Sequence, residues 1–506
     1  MKISNILFTA ALAFKYAYAK ENTDVLNQYE ENIKTKDFQY TFYCLDNYND
    51  SCNLIKKDFK EALSILSNTF EFKKPLNFEV YIDDLTKYGF GHSTGGALDI
   101  NYVILKEKSS DNKEMDKIPP YLYTQALAKQ LNIENGSKIE YKANDFIIAL
   151  NNFKMDPEKF ANFERKRYSR LIVREIIHAM GFTSTEVIAQ LKDTEDMLKM
   201  SPSFIKNDGS NTFRYIPNVL SDIDWNQLSK VSKLEDYVSE LYDSKFIGLS
   251  PLTVFAKNIV DIKTKEKLFK DLGFYYKDFN CIKDQEDVEA IKDVLEKHRL
   301  ECFKQLDEKT KETVTNIAMK YFLKSKSIGF LTDAGKVIPL QTFEDMFHPG
   351  SSINHIQFDK YDEIRDDPEK KTEFLKGTFI TKENISDYYN EEALMYYTQG
   401  DSISNEEFLE TIAKSNAHGL IGPSMVEALK TLGWTEKGKE SESKRIYYFD
   451  EKEVPYPEQN TFKYVNMKIY EITMSQQTSE ESENSSEKKD ETKENETKQK
   501  IVKEEL

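Results

Sequence analysis

Residues 173–182 read VREIIHAMGF, a stretch with the apolar spacing of an amphipathic helix that stops at a glycine. Positions four residues apart lie on one face of a helix, so Arg174 and His178 share a face. Glu175 is turned away from Arg174 on such a helix. We expect the chain to leave the helix sharply at Gly181. The stretch therefore places a cation, a carboxylate and an imidazole at one predicted helix end.

This stretch is one letter away from H-E-x-x-H, the helix motif of zinc peptidases. In that motif two histidines bind one metal, and the glutamate takes a proton from the metal-bound water. His178 stands in the place of the second histidine, and Glu175 in the place of the base. Arg174 stands in the place of the first, and a guanidinium has no lone pair for a metal. Taken alone, the stretch also fits an ordinary amphipathic helix.

The flanking sequence predicts strands and helices of an α+β protein. Alternating or continuous apolar runs rich in Val, Ile and Tyr predict strands at LNFEVYIDDL (76–85), LDINYVILKEK (98–108) and FIIALNNF (146–153). Residues 157–182 predict one long helix, with Pro157 at its start and Gly181 at its end. A further helix is predicted at MVEALKTLGW (425–434).

Several segments resemble, in the same order along the chain, the leishmanolysin-type zinc metallopeptidases, a metzincin family. These segments are GALDINYVIL (96–105), FIIALNNF (146–153), EIIHAMGF (175–182), VTNIAMKYF (314–322), SSINHIQFDKYDE (351–363), NEEALMYYTQGDSIS (390–404) and ALKTLGW (428–434). The resemblance covers residues 95–185 and 312–435. It implies a metzincin-like peptidase fold with a mixed sheet and an active-site helix.

The resemblance also implies roles for single residues. His178 and His355 would be zinc ligands, Glu175 the catalytic base, and Met395 the Met-turn that forms an apolar floor under one zinc ion. His348 competes with His355 for the third-ligand place, and the flanking residues favour His355. Without the resemblance, His355 would be read as a loop histidine bonded to backbone, and Met395 as a core methionine.

Two functions follow from the replacement of the first ligand by Arg174. One is a zinc metalloendopeptidase, a hydrolase acting on polypeptides, catalytically impaired unless His348 or Asp359 supplies a substitute ligand. The alternative is a pseudopeptidase, a pseudoenzyme that binds a polypeptide or protein partner without metal. In that alternative Arg174 acts as a built-in cation and pairs with a carboxylate, expected from the loop at 355–363.

The chain is predicted to divide into six parts. They are a signal peptide (1–19), a zincin-like subdomain ending in the active-site helix (20–184), a charged helical insertion (185–312), a subdomain with the third-ligand loop and Met-turn (313–440), an extension (441–474) and a disordered acidic tail (475–506). The insertion is rich in Lys and Glu, so we expect a solvated helical spacer. The tail has almost no apolar residues and cannot form a core.

The N-terminal sequence MKISNILFTAALAFKYAYAK predicts a secretory signal peptide cut after Ala19. A secreted chain oxidises its cysteines, and the spacing favours Cys44–Cys52 and Cys281–Cys302, although three connectivities remain open. Asn-x-Ser/Thr triplets, the acceptors for glycosylation, stand at Asn49, Asn135, Asn384, Asn484 and Asn495. The chain ends Lys-Glu-Glu-Leu, which is close to a signal for retention in the endoplasmic reticulum lumen.

The charge balance of the chain limits the classes of partner that it can bind. The net charge is −17 over 506 residues, which gives no basic footprint for nucleic acid. No stretch after the signal peptide is long and apolar enough to form a transmembrane helix. A polypeptide substrate or a protein partner in the secretory pathway or outside the cell is therefore the expectation.

Overall fold

A computed structural model gives the positions of most elements that surround the predicted site. It describes residues 30–44, 49–83, 95–98, 100–108, 119–151, 168–183, 189–190, 197–198, 202–205, 213–215, 245–249, 252–270, 304, 306–347, 351–375, 379–397, 403–439 and 445–450. Helices and strands alternate irregularly, and two of the sheets mix parallel with antiparallel pairing. The α+β class predicted from the sequence is confirmed.

The strands, in chain order, are β1 (Glu30–Lys34), β2 (Phe38–Cys44), β3 (Phe70–Glu71), β4 (Leu76–Asp83), β5 (Gly95–Leu98), β6 (Asn101–Lys108), β7 (Tyr121–Thr124), β8 (Ile133–Glu134), β9 (Phe146–Asn151), β10 (Ala189–Gln190), β11 (Met197–Leu198), β12 (Pro202–Ile205), β13 (Phe213–Tyr215), β14 (Lys245–Leu249), β15 (Ile259–Asp261), β16 (Ile328–Leu331), β17 (Val337–Pro339), β18 (Thr435–Glu436) and β19 (Ile446–Tyr448). The helices are α1 (Asn49–Thr69), α2 (Gln125–Ala128), α3 (Tyr168–Ala179), α4 (Glu308–Ile317), α5 (Tyr361–Arg365), α6 (Pro368–Leu375), α7 (Ile385–Tyr388), α8 (Asn405–Thr411) and α9 (Pro423–Leu432). Single turns of other helix types lie at Gly136–Lys138, Ala256–Asn258, Ala318–Phe322 and Ala393–Met395.

The sheet nearest the site has the order β1-β2-β4-β9-β5. Its centre, β2-β4-β9, is parallel, and β5 closes one edge in the antiparallel direction. The described side chains of β9 are buried without alternation, as expected for a central parallel strand covered on both faces. Helix α3 packs against α1, β5 and β9, so the sheet fixes the orientation of α3.

A second sheet has the order β14-β12-β13-β6-β19-β8, with β7 also paired to β6. Smaller sheets are formed by β15-β16-β17, β3-β18 and β10-β11. The sequence predicted a single strand over 98–108, whereas the structure places β5 and β6 in different sheets. The other predicted strands are confirmed as β4 and β9, and their last predicted residues, 84–85 and 152–153, lie outside the described residues. Helix α3 starts at Tyr168, and residues 157–167 of the predicted helix lie outside the described residues.

Within 185–312, which the sequence predicts to be a helical, solvated insertion, the described residues up to 270 form strands and a short helical turn, and helix α4 begins at Glu308. Strands β12, β13 and β14 extend the second sheet, and residues 252–270 contain a short helical turn and β15. Leu252, Phe255 and Ile259 are buried, so this segment belongs to the core. The reason is local composition, because KFIGL and NIVD carry aromatic and β-branched residues that favour strands. The Lys/Glu-rich residues 271–303 lie outside the described part of the chain.

Two smaller predictions concern cysteines and membranes. Cys44 and Cys52 form a disulfide with Cα atoms 6.3 Å apart, which joins the end of β2 to α1. Cys281 and Cys302, the signal peptide and the acidic tail lie outside the described residues. Within the described ranges, no helix has the length and apolar character needed to cross a membrane.

Candidate functional site

The predicted site lies on the one face of α3 that is open to solvent. Every residue of α3 is buried except Arg174 and His178, which are half-buried and one turn apart. Gly181 ends the segment with φ +118°, a left-handed conformation that favours glycine. An added Cβ there would make only ordinary contacts, the nearest at 3.5 Å, so the backbone conformation and not space requires the glycine.

Two imidazoles meet at this face, and backbone carbonyls fix the tautomer of each. The Nδ1 atom of His178 lies 2.8 Å from the Phe182 carbonyl oxygen, and the Nδ1 atom of His355 lies 3.1 Å from that of Ser351. A carbonyl oxygen only accepts hydrogen bonds, so Nδ1 carries the hydrogen in both rings. Each neutral ring therefore presents an Nε2 lone pair, and the ring centroids lie 5.0 Å apart.

Both imidazoles are held in the neutral form. Burial lowers the pKa of His178, and Arg174 adds to this, against the raising effects of Glu175 and the Phe182 carbonyl. Burial lowers the pKa of His355 well below its usual value, and His178 and Arg174 lower it further. Two neutral imidazoles with free lone pairs suit the binding of a metal or of a hydrogen-bond donor.

This pair predicts a loss of stability in acid. Because both folded-state pKa values lie below the usual 6.5, the unfolded chain binds protons that the folded chain does not. The contribution is fully present above about pH 6.5 and is lost as the pH falls toward the folded pKa values. Denaturant unfolding across this range should show a smaller pH dependence in the His178→Gln/His355→Gln double variant than in the parent. Equal pH dependences would contradict the assignment.

The carboxylate of Glu175 is fully engaged. Its Oε1 accepts from Arg174 Nε and lies 3.0 Å from Nη2 as well, and its Oε2 accepts from the backbone N–H of Ala97 on β5 at 3.2 Å. Glu175 is buried and Arg174 nearly so, with 13% of its side chain exposed. Such a partly buried, charge-assisted pair is stronger than an exposed one.

The expected partner of Arg174, a carboxylate from the loop at 355–363, differs from the observed one. Arg174 pairs with Glu175, the adjacent residue, although the two Cβ atoms point to different faces of the helix. The long arginine side chain folds back along the helix and reaches the neighbouring carboxylate. Asp359 is exposed on the loop, and its carbonyl oxygen accepts from Lys326. His348 lies outside the described residues.

Met395 lies directly beside the segment that carries His355. Its carbonyl oxygen accepts from Ile356 N at 2.8 Å, and its side chain is fully buried in the turn Ala393–Met395. On the other side, Gln341 N donates to the carbonyl oxygen of His355 at 2.8 Å. The turn also contacts α3. The fold thus brings three segments that are far apart in sequence into one region. They carry Arg174, Glu175 and His178, then His355, and then Met395.

The groups that complete the site were missed by the sequence analysis. They are the carbonyl oxygens of Phe182 and Ser351 and the amide of Ala97. Backbone groups occur at every residue, so no side-chain pattern could have marked these three. Of the predicted glycosylation acceptors, Asn135 is exposed, whereas Asn384 donates to Phe379 O and accepts from Thr381 N.

The donor set of the described residues does not fit a catalytic zinc. Such a zinc takes three protein ligands and a water. His178 and His355 supply two nitrogen lone pairs, whereas Arg174, in the first-ligand position of the motif, carries a guanidinium that has none. The guanidinium is also a positive charge where a cation would bind.

Comparison with known proteins identifies a family. The family model described as SPBPB7E8-like matches residues 15–367, a stretch that contains α3 and His355 but ends before Met395. No curated protein and no solved structure matches the chain. Because the matched stretch covers more than half of the 506 residues, the chain belongs to the SPBPB7E8-like family.

Proposed function

We propose that this chain is a degenerate, leishmanolysin-like peptidase that binds polypeptide and has lost efficient zinc-dependent cleavage. The observation that carries the proposal is the pairing of Arg174 with Glu175 beside His178 and His355. The residue in the first-ligand position neutralises the carboxylate in the base position. A metzincin-like fold and a pseudopeptidase activity are both part of this proposal.

The convergence of distant segments supports the peptidase ancestry. His178 is on α3, and His355 lies 177 positions further on, yet their rings are in contact, and in both rings Nδ1 rather than Nε2 bonds to a backbone carbonyl. Hydrogen bonds from Nδ1 to backbone carbonyls are the usual means of orienting metal-binding histidines. An ordinary core histidine needs no second imidazole at its side.

The engagement of Glu175 supports the loss of cleavage. A general base needs a free oxygen within hydrogen-bond reach of the proton that it removes. Both oxygens of Glu175 already accept hydrogen bonds, one of them from a permanently charged guanidinium. The residue types of the peptidase site thus persist in part, with a changed set of contacts.

Strand β5 supports polypeptide as the ligand. Among the described strands it lies at the edge of its sheet, and Ala97 N donates to Glu175, so this edge runs along the site. An extended chain adds to such an edge through main-chain hydrogen bonds. Entry into the secretory pathway is a further part of the proposal, supported by the Cys44–Cys52 disulfide and the signal-peptide pattern at 1–19.

The test uses the full mature chain purified in the presence of zinc. We expect far less than one zinc per chain, and binding without cleavage of reduced, carboxymethylated lactalbumin, an unfolded polypeptide. Native lactalbumin is the matched control, because its backbone hydrogen bonds are already made. Metal analysis, fluorescence anisotropy and gel electrophoresis with and without 1,10-phenanthroline give the three readouts.

The alternative function, an active zinc metalloendopeptidase, predicts the opposite outcome. Stoichiometric zinc together with phenanthroline-sensitive cleavage would establish that function and reject the pseudopeptidase. The absence of both cleavage and binding would reject polypeptide as the ligand.

A further inference from the structure

Helix α9 connects the two histidine-bearing parts of the site. One end of residues 422–434 is bonded to the turn that holds Met395, and the other is bonded to the end of α3. We propose that this segment is a strut that sets the spacing of His178 and His355, with Glu392 and Trp434 as positioning residues. Its purpose rests on the proposed function, but its test does not.

Glu392 caps the N-terminus of α9 from a distance. Its Oε1 accepts from the backbone N–H of Ser424 at 2.7 Å, within the first turn of the helix. The residue at the usual capping position is Gly422, which provides no side-chain hydrogen bond. Lys336 Nζ donates to Ser424 Oγ at 2.7 Å and adds a positive charge near the carboxylate. A carboxylate also interacts favourably with the positive end of the helix dipole.

Gly422 leaves the space that this cap requires. An added Cβ would lie 2.5 Å from the Glu391 carbonyl oxygen and would overlap the Glu392 carboxylate. The backbone of Gly422, at φ −68°, is one that any residue adopts, so the requirement is for space alone. The backbone before the turn Ala393–Met395 therefore packs directly against the start of α9, with no side chain between them.

Trp434 holds the other end. Its indole Nε1 donates to the carbonyl oxygen of Met180 at 2.9 Å, two residues after His178. The ring is buried and packs edge-on against Phe70 and Phe72, with centroids 6.2 and 5.6 Å away. The bond thus joins the end of α3 to a side chain that has little freedom to move.

Short bonds connect the capped end to His355. Met395 N donates to the Glu392 carbonyl oxygen at 3.0 Å, and Ile356 N donates to the Met395 carbonyl oxygen at 2.8 Å. Glu392 is thereby two backbone hydrogen bonds away from the neighbour of His355. A displacement of the helix N-terminus would be passed to His355, while Trp434 keeps His178 in place.

The type of cap argues for positioning rather than for stability alone. Glu392 is 8% exposed, and burying a carboxylate costs more than burying an apolar side chain. A local cap by Ser, Thr or Asp would avoid that cost, but it would need a Cβ at position 422, which the close approach of the turn excludes. Only a cap supplied by the turn itself ties Met395 to the helix.

The experiment measures the histidine rings in the full chain labelled with ¹⁵N-histidine, which contains six histidines. Loss of the His178 and His355 signals in the His178→Gln and His355→Gln variants assigns them. We expect Glu392→Ala to shift the His355 ring resonances, and Trp434→Phe to shift those of His178. Glu427→Ala is the matched control, because Glu427 is on the same helix and its carboxylate pairs with Lys430 of that helix at 2.9 Å.

A second measurement gives a fold-change. In the Arg174→His background, Glu392→Ala should weaken zinc binding by about 10-fold, the effect of losing a group that orients a ligand. If Glu392→Ala does not fold, Glu392→Gln, which keeps an acceptor oxygen but loses the charge, takes its place with a smaller shift expected.

The strut is overturned if Glu392→Ala and Trp434→Phe lower the unfolding free energy but leave both ring signals unchanged. The ring signals need no metal. Failure of the Arg174→His variant to bind zinc would therefore count against the proposed function, whereas the expected shifts of the ring signals would still support the strut.

Discussion

Arg174→His is expected to convert a chain with no tightly bound zinc into one that holds about one zinc per chain. A histidine at position 174 would stand one helical turn from His178 on the open face of α3. With His355, which bonds to a backbone carbonyl through Nδ1 rather than Nε2, it would complete three nitrogen ligands. This is the largest effect that a single substitution in this chain is expected to have.

Electrostatics reinforces the gain of a ligand. The guanidinium now lowers the pKa of both His178 and His355, as a positive charge beside them must. The same charge repels a divalent cation. Its removal also frees Glu175 Oε1, which Arg174 currently contacts through two nitrogens. One substitution therefore removes a repulsion, adds a ligand and releases the carboxylate.

The control variant is Arg174→Gln, which removes the charge without supplying an imidazole. Zinc content and competitive chelator titration of the parent, Arg174→His and Arg174→Gln separate the two contributions. Adding His355→Ala to Arg174→His should weaken zinc binding by more than the roughly 10–100-fold that loss of an orienting group costs. Peptide cleavage gained by Arg174→His should then depend on Glu175, with Glu175→Ala as the test.

Two outcomes would contradict this expectation. A parent that already binds one zinc tightly would mean that a substitute ligand exists, and His348 and Asp359 would be replaced next. An Arg174→His variant that folds and binds no zinc would mean that the two imidazoles do not converge as ligands. The proposed ancestry would then lose its main support.

The sequence predicted those parts of the site that depend on periodicity. The exposed face of α3 follows directly from the four-residue spacing of Arg174 and His178, the only positions of the helix that are not buried. The turn at Gly181 follows from the stop signal, and its positive φ agrees. Strand β4 follows from alternating apolar residues and β9 from a continuous apolar run, each at its observed starting residue.

The contacts of Arg174 could not be predicted from periodicity. Helix geometry fixes where Cβ points, but a long side chain carries its charge several ångströms beyond and can reach an adjacent residue. The choice of Glu175 over the loop carboxylates depended on which groups the fold buries together. The carbonyls that orient the two histidines could not be predicted from the sequence either, because every residue has a backbone carbonyl.

The strands within 185–312 were missed by the sequence-based prediction for a different reason. The composition of 185–312 as a whole is dominated by its Lys- and Glu-rich segments. The short apolar segments between them are hidden in that average. Strand β14 and the buried residues near Phe255 are brief, and they find their partners in β12 and in the core rather than in neighbouring sequence. Long-range pairing of this kind leaves no local signature.

Asp145→Ala is expected to lower the free energy of unfolding by about 3–5 kcal/mol, because it leaves a buried cation without its counter-charge. Asp145 is fully buried, and its Oδ2 accepts from Lys129 Nζ at 2.9 Å, with 7% of the Lys129 side chain exposed. Gln125 Nε2 donates to the other oxygen at 2.7 Å, and Asn77 N donates to Oδ2 at 2.8 Å. All three donors would lose this acceptor together, although Gln125 Nε2 also donates to the Lys142 and Asn144 carbonyl oxygens.

Because of the position of Asp145, its replacement should also weaken the sheet that carries the site. Its backbone N–H donates to the Asn77 carbonyl oxygen on β4, and its carbonyl oxygen accepts from Asn101 N on β6. It therefore joins the five-stranded sheet to the second sheet, immediately before β9. Helix α3 packs on β9, so the site depends on this joint.

Equilibrium unfolding in denaturant measures the effect, with Glu134→Ala as the matched control. Glu134 pairs with Lys108 at 3.1 Å, but both side chains are roughly half exposed, so that pair contributes about 0–1 kcal/mol. Adding Lys129→Met to Asp145→Ala should recover part of the loss, because the orphaned charge is then removed. If Asp145→Ala costs no more than Glu134→Ala, or if Lys129→Met recovers nothing, an unpaired Lys129 is not the cause. In the second case the carboxylate would act through its bonds to Asn77 and Gln125 alone.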